Sequence, residues 1–303
     1  MHAIRSAGVT AAVNRLWLPR LALSQCLRAV ISRDTRGLVL SPLQRMNQFP
    51  VSALCSLSWW FEGSAELVDV HCQAPETAPR LALQGRFVFG GPQTLPSASW
   101  NPGPVHAMMM ALLPDAVQAM TGIDPAKYVN RLVDAHTVLP APWLGLCEAV
   151  QVAPDDDARV LLIQDFLEPK WRQTRPDAGQ VLLSFRDWTQ GLALRAYASS
   201  SARSLRQAER RVRQWSGLPL RELRVHSRAE QAYFNAMDAA RHGDMVWAQR
   251  ALEDGFADQP HMCRESRRIT GFTPAQLHDK VFHDEAFWVY RLWEHAQAPA
   301  RLD

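Results

Sequence analysis

Short apolar runs separated by proline and glycine occupy the chain up to residue 110, a pattern typical of strands joined by turns. The predicted strands span residues 37–40, 53–61, 65–70, 81–89 and 105–113. From Leu81 to Phe89 apolar residues recur at about every second position, and every second side chain of an extended chain faces the same way. This alternation fits a half-buried strand. A short helix is predicted at residues 116–120, between Pro114 and Gly122. We therefore expect an N-terminal domain that is mostly β and barrel-like, with short helices.

Beyond residue 153 the apolar positions follow helical periods instead. The acids at 155–157 can cap a helix and favour its N-terminus electrostatically. We predict that this helix covers residues 158–172, with Leu161 and Leu162 on an apolar stripe that could pack on a partner helix. Further helices are predicted over residues 181–189, ending at Gly191, and over residues 221–242, ending at Gly243. The second half is thus predicted to be all α, which makes the fold class α+β.

Positive charge is concentrated in one segment rather than spread along the chain. The 303 residues carry a formal net charge of only +3, with 47% hydrophobic and 21% charged residues, as in ordinary soluble proteins of two domains. Residues 195–228 nevertheless hold nine arginines against two acids, an excess of seven. The nine are Arg195, Arg203, Arg206, Arg210, Arg211, Arg213, Arg221, Arg224 and Arg228. This stretch is either a phosphate-facing surface or a solvated helix face.

An internal repeat overlaps this basic segment. An offset of 54 residues places Gly217 on Gly271 and Ser204 on Asp258. In each unit a capping residue begins a helix of about ten residues that ends at the glycine and is followed by a turn containing proline. Short apolar helices are predicted before each unit, at residues 192–198 and 246–252. Two helices with a short connection form the geometry that places the second helix in a DNA major groove.

The second helix of each unit has the two faces that such a role requires. Apolar residues that seat the helix are Ala208 and Val212 in the first unit, and Met262 and Ile269 in the second. Arginine can read guanine with two hydrogen bonds, and glutamine can pair with adenine. The candidate base-reading residues are Arg206, Gln207 and Arg210 in the first unit, and Gln259, His261 and Arg264 with the neighbouring Cys263 in the second. The candidate phosphate contacts are Arg211, Arg213, Arg267 and Arg268.

These residues carry a family resemblance. The run Gly255-Phe256-Ala257-Asp258-Gln259-Pro260-His261-Met262-Cys263-Arg264, with Gly271-Phe272-Thr273-Pro274 after it, resembles the second-unit signature of the AraC/XylS transcriptional regulators. Ser204-Leu205-Arg206-Gln207-Ala208-Glu209-Arg210-Arg211-Val212, with Gly217-Leu218-Pro219, is similar to the first unit. The resemblance covers residues 178–280 and implies two helix-turn-helix lobes joined by the helix at 221–242, reading adjacent major-groove segments of double-stranded DNA.

The chain departs from the family pattern at several positions. Pro260 stands where the family usually has a polar residue, and Ser266 where it has a large apolar one, which predicts a less well packed second lobe. Ala202-Arg203 replaces the usual glycine and apolar pair in the first unit. The N-terminal half bears a fainter resemblance to the sensor regions of a subset of these regulators, through residues 33–37, 58–61 and 99–106, and residues 284–293 resemble the end of that subset.

The N-terminal domain offers candidates for effector binding. Trp59, Phe61, Trp100 and His106 could line a pocket, because pockets are mostly apolar with a few polar anchors; core packing is the other explanation of these residues. Met108–Met110 could likewise face a pocket or fill a buried strand. His71, Cys72, His106 and His136 are metal-ligand types, but no spacing sets them as a site, so neither a metal nor a cofactor is predicted.

Cysteine usage and the apolar pattern bear on location. The five cysteines are odd in number and lack CxxC spacing, which favours a reducing cytoplasm over a disulfide framework. Charges and proline interrupt residues 9–31, so neither a targeting segment nor a membrane span is predicted.

The predicted organisation is an effector-binding domain at 1–154, a linker or dimerisation helix at 155–176, an AraC-type DNA-binding domain at 177–280 and a tail at 281–303. The predicted function is sequence-specific transcription regulation by a homodimer that a small molecule controls, with no enzymatic activity. RNA polymerase is a candidate partner, although we expect the apolar tail to dock on the chain's own body. One alternative is a ligand-independent or partner-controlled DNA-binding protein. The other is an enzyme domain, with Cys55 or Cys147 as nucleophile, fused to the helix-turn-helix module.

Overall fold

The computed structural model describes residues 3–5, 9–175, 184–199, 204–242 and 251–297, and it has the predicted α+β fold. The strands are β1 Ile4–Arg5, β2 Val13–Trp17, β3 Leu27–Asp34, β4 Met46–Phe49, β5 Cys55–Glu62, β6 Glu66–Val68, β7 Leu81–Ala82, β8 Phe87–Gly90, β9 Ser97–Trp100, β10 His106–Leu112 and β11 Leu132–Asp134. The helices are α1 Pro114–Thr121, α2 Ala141–Val152, α3 Asp156–Thr174, α4 Phe185–Ala198, α5 Leu205–Ser216, α6 Leu220–His242, α7 Gln259–Thr270, α8 Pro274–His283 and α9 Trp288–Gln297. The N-terminal half is therefore β-rich and the second half is helical.

The strands form two antiparallel sheets. The larger has the order β1-β2-β3-β10-β5-β8-β11, and the smaller has the order β4-β9-β6-β7. In the larger sheet β10 lies between β3 and β5, with Met110 opposite Val30 on one side and Leu57 on the other. A cavity of about 90 Å³ is lined by residues of both sheets, including Ile31 and Asn47, so the sheets face each other in a barrel-like arrangement.

Most predicted strands are present, with two differences. The runs at 53–61, 65–70 and 105–113 contain β5, β6 and β10. The run at 81–89 is divided into β7 and β8, because Gly85 between them has a positive φ of 90° and lies against the Asp134 carboxylate, which interrupts an extended strand. The prediction of a strand at 37–40 is wrong, since Gly37 has a φ of 74° in a turn.

Helix boundaries follow the capping residues. The Asp155 side chain accepts a hydrogen bond from the Ala158 backbone N–H and begins α3, as the acidic run predicted. Gly122 ends α1 in the left-handed conformation. The predicted helix end at Gly191 is wrong, because α4 continues to Ala198 and buries Leu192 and Ala196 beyond the glycine. The helix predicted at 192–198 is thus the second half of α4, while the helix start predicted at 181, Gly243 and most of the segment 246–252 lie outside the described residues.

The apolar stripe predicted on α3 divides between two environments. Trp171 is buried with Val160 and Ile163, whereas Leu161 and Leu162 keep 45% and 39% of their exposure. Within the part of the chain that the structure describes, no helix is long and apolar enough to cross a membrane.

One continuous hydrophobic core joins the N-terminal domain to the first helical unit. It runs from Leu57 and Met110 of the large sheet, through Ile163 of α3, to Val212 of α5 and Leu223 of α6. A second cluster joins Trp100 of the small sheet to Phe272 and Leu277 of the second unit and to Phe287 before α9. Both helical units therefore pack on the N-terminal domain, each on a different part of it.

The tail docks on the chain's own body, as predicted. Trp288 and Leu292 of α9 pack on Leu16 and Ile31 of the large sheet. Beside them the buried carboxylate of Glu285 accepts hydrogen bonds from Arg33 at 2.7 Å and from Arg291 at 3.2 Å. Trp288 Nε1 donates to Asn47 Oδ1 at 2.9 Å. Burying this carboxylate is tolerated because two guanidinium groups compensate its charge.

Replacing Glu285 with Gln should therefore destabilise the whole fold, because it leaves two buried guanidinium groups without their carboxylate. We expect the free energy of unfolding in urea to fall by about 3 kcal/mol. The matched control is Glu76→Gln, at a carboxylate that is 58% exposed and lies 3.4 Å from the guanidinium of Arg45. It should change the free energy of unfolding by less than about 1 kcal/mol. Equal effects of the two variants would contradict the anchoring role of Glu285.

Candidate nucleic-acid interface

The helices α5 and α7, which we call the two candidate recognition helices, begin and end in the same way. The Ser204 hydroxyl accepts a hydrogen bond from the Gln207 N–H, and the Asp258 carboxylate accepts one from the His261 N–H at 2.7 Å. Gly217 and Gly271 end the helices in the left-handed conformation, with φ of 78° and 86°. The predicted repeat of cap, helix and glycine is thus present in the backbone of both units.

The repeat extends to the hydroxyl side chains before each glycine. Ser216 Oγ lies 2.8 Å from the carbonyl oxygens of Val212 and Leu218, and it accepts from the Leu218 N–H. Thr270 Oγ1 occupies the corresponding place between the carbonyls of Ser266 and Phe272. Each hydroxyl joins the last turn of its helix to the segment that follows. The direction in which the next helix begins is therefore fixed in the same way in both units; that helix is α6 in the first unit and α8 in the second.

On α5 three of the predicted DNA-binding residues share one exposed face. Arg206, Arg210 and Arg213 are exposed and follow one another at spacings of four and three residues, which places them on one side of the helix. Ala208 and Val212 are buried on the opposite side, as predicted.

Gln207 and Arg211, the remaining predicted residues of α5, are half-buried. The guanidinium of Arg211 lies 5.5 Å from the centre of the Trp215 ring, and Arg195 of α4 lies 5.8 Å from the same ring. These contacts hold Arg211 at the edge of the arginine face and not at its centre.

On α7 the predicted residues fall into exposed and half-buried groups. Gln259, Arg264 and Arg267 are exposed, whereas Cys263 and His261 are half-buried. The Nδ1 atom of His261 accepts a hydrogen bond from the Ala257 N–H, and its ring packs edge-on against Phe256. His261 therefore has a structural role at the start of α7 besides any contact with DNA.

Arg268 differs from Arg267 in its surroundings. Its guanidinium donates to Glu265 on the same helix and, at 3.1 Å, to Glu222 at the start of α6. Arg268 thus joins the second recognition helix to the helix that links the two units. A guanidinium that already binds two carboxylates attracts phosphate less than a free one.

Both recognition helices end against the N-terminal domain. A Cβ atom on Gly217 would lie 3.1 Å from the carbonyl carbon of Pro125, and one on Gly271 would lie 2.9 Å from a methyl of Val70. The Val51 N–H of the N-terminal domain donates to the Ile269 carbonyl at 2.8 Å, in the last turn of α7. A side chain at either glycine would therefore require its neighbour in the N-terminal domain to shift.

A buried carboxylate holds α4 to the N-terminal domain. Asp115 of α1 accepts hydrogen bonds from Trp188 Nε1 at 2.9 Å and from the guanidinium groups of Arg195 and Arg175. Its side chain is only 2% exposed. The first unit is therefore fixed by oriented polar contacts as well as by apolar packing.

The structure separates the four predicted effector-binding residues. Trp59 is fully buried in the main core, where its Nε1 donates to the Cys147 carbonyl. Trp100 lies between the guanidinium groups of Arg45 and Arg80, 4.8 and 4.9 Å from its ring centre. Only Phe61 and His106 come together, with ring centres 4.9 Å apart.

Phe61 and His106 belong to a buried polar network at the start of α3. His106 Nε2 lies 2.9 Å from the carboxylate of Asp156, which also accepts from Ser32 and Arg159. The Arg159 guanidinium stacks 3.6 Å from the Phe61 ring centre. Burial alone would raise the pKa of Asp156, but the hydrogen bond and charge of His106, with the hydrogen bonds of Ser32 and Arg159, outweigh it and lower the pKa to about 2.

A larger cavity, of about 190 Å³, lies where the two halves of the chain meet, and we call it the interdomain cavity. Its wall combines Phe49 and Met109 of the sheets, His226 of α6, Ile269 and Thr270 of α7, and Tyr290 of α9. The predicted residues Trp59, Phe61, Trp100 and His106 are not part of this wall. Sequence reasoning missed the cavity because its residues come from distant segments, and no local pattern joins them.

The candidate metal ligands and nucleophiles stand apart. His71 packs on Phe272 and His136 on Phe87, and no group of three potential ligands comes together among the residues that are described. Burial raises the pKa of the Cys55 thiol and raises that of Cys147 to about 12. Both thiols are protonated at neutral pH, which does not fit the nucleophile of the alternative enzyme hypothesis.

No protein-family model and no curated protein matches the sequence. Among solved structures, a lysine-to-alanine variant of apo ToxT from Vibrio cholerae strain SCE256 is 10% identical, with a TM-score of 0.34 over 88% of this chain and 96% of that one. ToxT from Vibrio cholerae O395 is 11% identical, with a TM-score of 0.31 over 77% and 92% of the two chains. ToxT of strain SCE256 bound to an unsaturated fatty acid is 13% identical, with a TM-score of 0.30 over 76% and 93%. With TM-scores below 0.5, this likeness supports no conclusion about the present chain.

Replacing Asp156 with Asn should change the acid stability of the protein. The folded-state pKa is lowered from 3.8 to about 2, so the charged carboxylate stabilises the fold above pH 3.8 and this contribution disappears as the pH falls towards 2. We expect the variant to lose about 2 kcal/mol of unfolding free energy at pH 7 and to show a flatter decline between pH 4 and 2. Asp165→Asn, at a side chain that is 63% exposed, is the control. An unchanged pH profile in Asp156→Asn would refute the pKa shift.

The two neighbouring arginines of α7 should differ in their effect on DNA binding. Arg267→Ala should reduce the slope of log affinity against log salt by about 0.9, the value for one lost phosphate contact. Arg268→Ala should reduce the slope less and lower the melting temperature more, because Arg268 binds Glu222 and Glu265. Arg86→Ala, at an exposed arginine between β7 and β8, controls for net charge. Equal slopes for the Arg267 and Arg268 variants would contradict the assignment.

Proposed function

We propose that this protein is a sequence-specific DNA-binding transcriptional regulator in which α5 and α7 occupy adjacent segments of the major groove. The observation that carries the proposal is the repeated unit: two helices with the same cap, the same glycine end and the same hydroxyl bridge, each with exposed arginines on its outer face. A single basic helix is common on protein surfaces. Two equivalent basic helices joined by one long helix are the arrangement expected of a protein that binds two adjacent major-groove segments of duplex DNA.

The dimensions of the arginine face support groove insertion. From Arg206 to Arg213 the stripe covers eight residues, or about 10 Å along the helix axis. A B-form major groove is about 12 Å wide and admits one helix. Arg206 and Arg210, near the start of α5, suit base contact, whereas Arg213 is near its end and suits a phosphate. Gln259 and Arg264 have the corresponding roles on α7, with Arg267 at the phosphate.

Control by a small molecule is the second part of the proposal. The N-terminal domain touches the ends of both recognition helices at Gly217, Gly271 and Ile269. A ligand that changes the contact between the halves would change the relation between the two helices, and hence the affinity for two adjacent groove segments. We propose that the protein is a transcriptional regulator of the AraC/XylS type and not an enzyme. We propose the cytoplasm as its location, since its operator DNA lies there.

We propose a homodimer whose contact includes α3, since Leu161 and Leu162 remain exposed on its surface. Two protomers would then bind two copies of the half-site, in line with the symmetry of such operators. RNA polymerase remains a candidate partner of the DNA-bound dimer.

Base-reading and phosphate-binding arginines should give different results in one selection experiment. Duplexes are selected from a randomised 25-base-pair library with the full-length protein, and each variant is then measured on the selected duplex and on single-base changes of it. Arg210→Ala and Arg264→Ala should each lose about 1–3 kcal/mol of discrimination at one or two positions. Arg213→Ala should weaken all duplexes alike.

Arg86→Ala is again the control, because it removes an exposed arginine outside both units and outside α3. The base-reading assignment fails if Arg210→Ala and Arg213→Ala weaken every duplex by the same factor. The proposed function itself fails if the wild-type protein enriches no sequence from the library.

A further inference from the structure

The interdomain cavity contains polar atoms without partners in an otherwise apolar wall. His226 is 6% exposed and Tyr290 is 5% exposed, and both line the cavity. Within the described part of the chain, the two ring nitrogens of His226 and the hydroxyl of Tyr290 have no hydrogen-bond partner. Buried polar groups are nearly always hydrogen-bonded, and an unsatisfied one costs stability. Three such atoms beside one cavity indicate a site that a polar group of a ligand completes.

The polar groups of the wall are neutral or already paired. Burial, with the charge of Arg268, lowers the pKa of His226 to about 4, although Glu222 opposes this. Burial likewise raises the pKa of Tyr290. The charged residues of the wall, Arg28 and Glu230, bind each other at 3.2 Å. An ionised ligand group would therefore lose its hydration in this cavity without gaining a free counter-ion.

The apolar part of the wall determines the body of the ligand. Six aromatic side chains line the cavity: Phe49, Phe185, Tyr233, Phe234, Tyr290 and Trp293. Aromatic rings stabilise one another by offset and edge-on contacts. A dry cavity of about 150 Å³ holds benzene, so a volume of about 190 Å³ accommodates one ring with a short alkyl substituent.

We propose that the interdomain cavity binds a neutral phenol or aromatic alcohol, whose hydroxyl group hydrogen-bonds to His226 and Tyr290, and that binding changes DNA affinity. A hydroxyl is both donor and acceptor, so it can donate to the free imidazole nitrogen and accept from the Tyr290 O–H. This inference rests on the proposed function for its effect on DNA, but the binding step stands independently of it.

The position of the cavity explains why its occupant affects DNA binding. Ile269 and Thr270, in the last turn of α7, form part of the wall, and so does Val51, whose N–H holds the Ile269 carbonyl. His226 and Tyr233 of the linking helix α6 contribute the side that faces the first unit. A ligand there touches the contact that sets the second recognition helix relative to the first.

The binding test uses the full-length protein and three probes of similar size at pH 7.5: 4-propylphenol, propylbenzene and 4-propylbenzoate, measured by isothermal titration calorimetry. We expect 4-propylphenol to bind about tenfold more tightly than propylbenzene, since it gains two hydrogen bonds, and 4-propylbenzoate to bind most weakly. No saturable binding of the phenol, or tighter binding of the benzoate than of the phenol, would overturn the proposal.

Two variants locate the site. Tyr290→Phe removes one hydroxyl and should weaken 4-propylphenol about fivefold while leaving propylbenzene unchanged; the matched control Tyr128→Phe, outside the cavity, should change neither. Ala229→Leu adds volume to the wall and should abolish binding of both probes. Unaltered phenol affinity in Tyr290→Phe and Ala229→Leu would place the site elsewhere and overturn the assignment.

The effect on DNA is measured with a duplex selected by the protein itself. Saturating 4-propylphenol should shift the DNA dissociation constant at least about fivefold in the wild type and leave it unchanged in Ala229→Leu. If the phenol binds as expected but no duplex is ever selected, the proposed function fails and the binding site stands. If a duplex is selected but the phenol does not bind or does not shift its affinity, this inference fails and the DNA-binding function stands.

Discussion

The placement of the two candidate recognition helices depends on two helix ends at which a side chain would press on the N-terminal domain. Gly217 and Gly271 each take a left-handed conformation and each lie against the N-terminal domain, beside Pro125 and Val70. The left-handed turn redirects the chain into the next helix, and the close approach lets the N-terminal domain support the helix that has just ended. Because the same residue satisfies both demands, the orientation of each candidate recognition helix is tied to the N-terminal domain.

Buried charges add direction to this arrangement. Apolar packing between the halves would tolerate small slides, whereas Asp115 with Arg195, and Glu285 with Arg33, accept only narrow ranges of angle and distance. These polar contacts therefore fix the relative orientation of the segments that they join.

Local features could be predicted from the sequence, and features made by distant segments could not. Capping residues and glycines mark helix ends because their hydrogen bonds and backbone conformation act within four residues. The boundaries at Asp155, Ser204, Asp258 and Gly271 therefore follow from the sequence. The helix end predicted at Gly191 is wrong because the burial of Leu192 and Ala196 in the core outweighs the weak helix propensity of glycine. The exposed arginines of α5 follow from helical periodicity, but the pairing of Arg268 with Glu222 and the joining of His226 with Tyr290 depend on packing between segments.

The return of the tail to the first strands has a consequence for how the protein is made. Leu16 and Ile31 are synthesised before both helical units, whereas Trp288 and Leu292, which cover them, are synthesised after both. One face of the large sheet therefore stays uncovered during translation and exposes apolar surface to chaperones or to other nascent chains. The β-rich half therefore completes its packing only after both helical units have been produced.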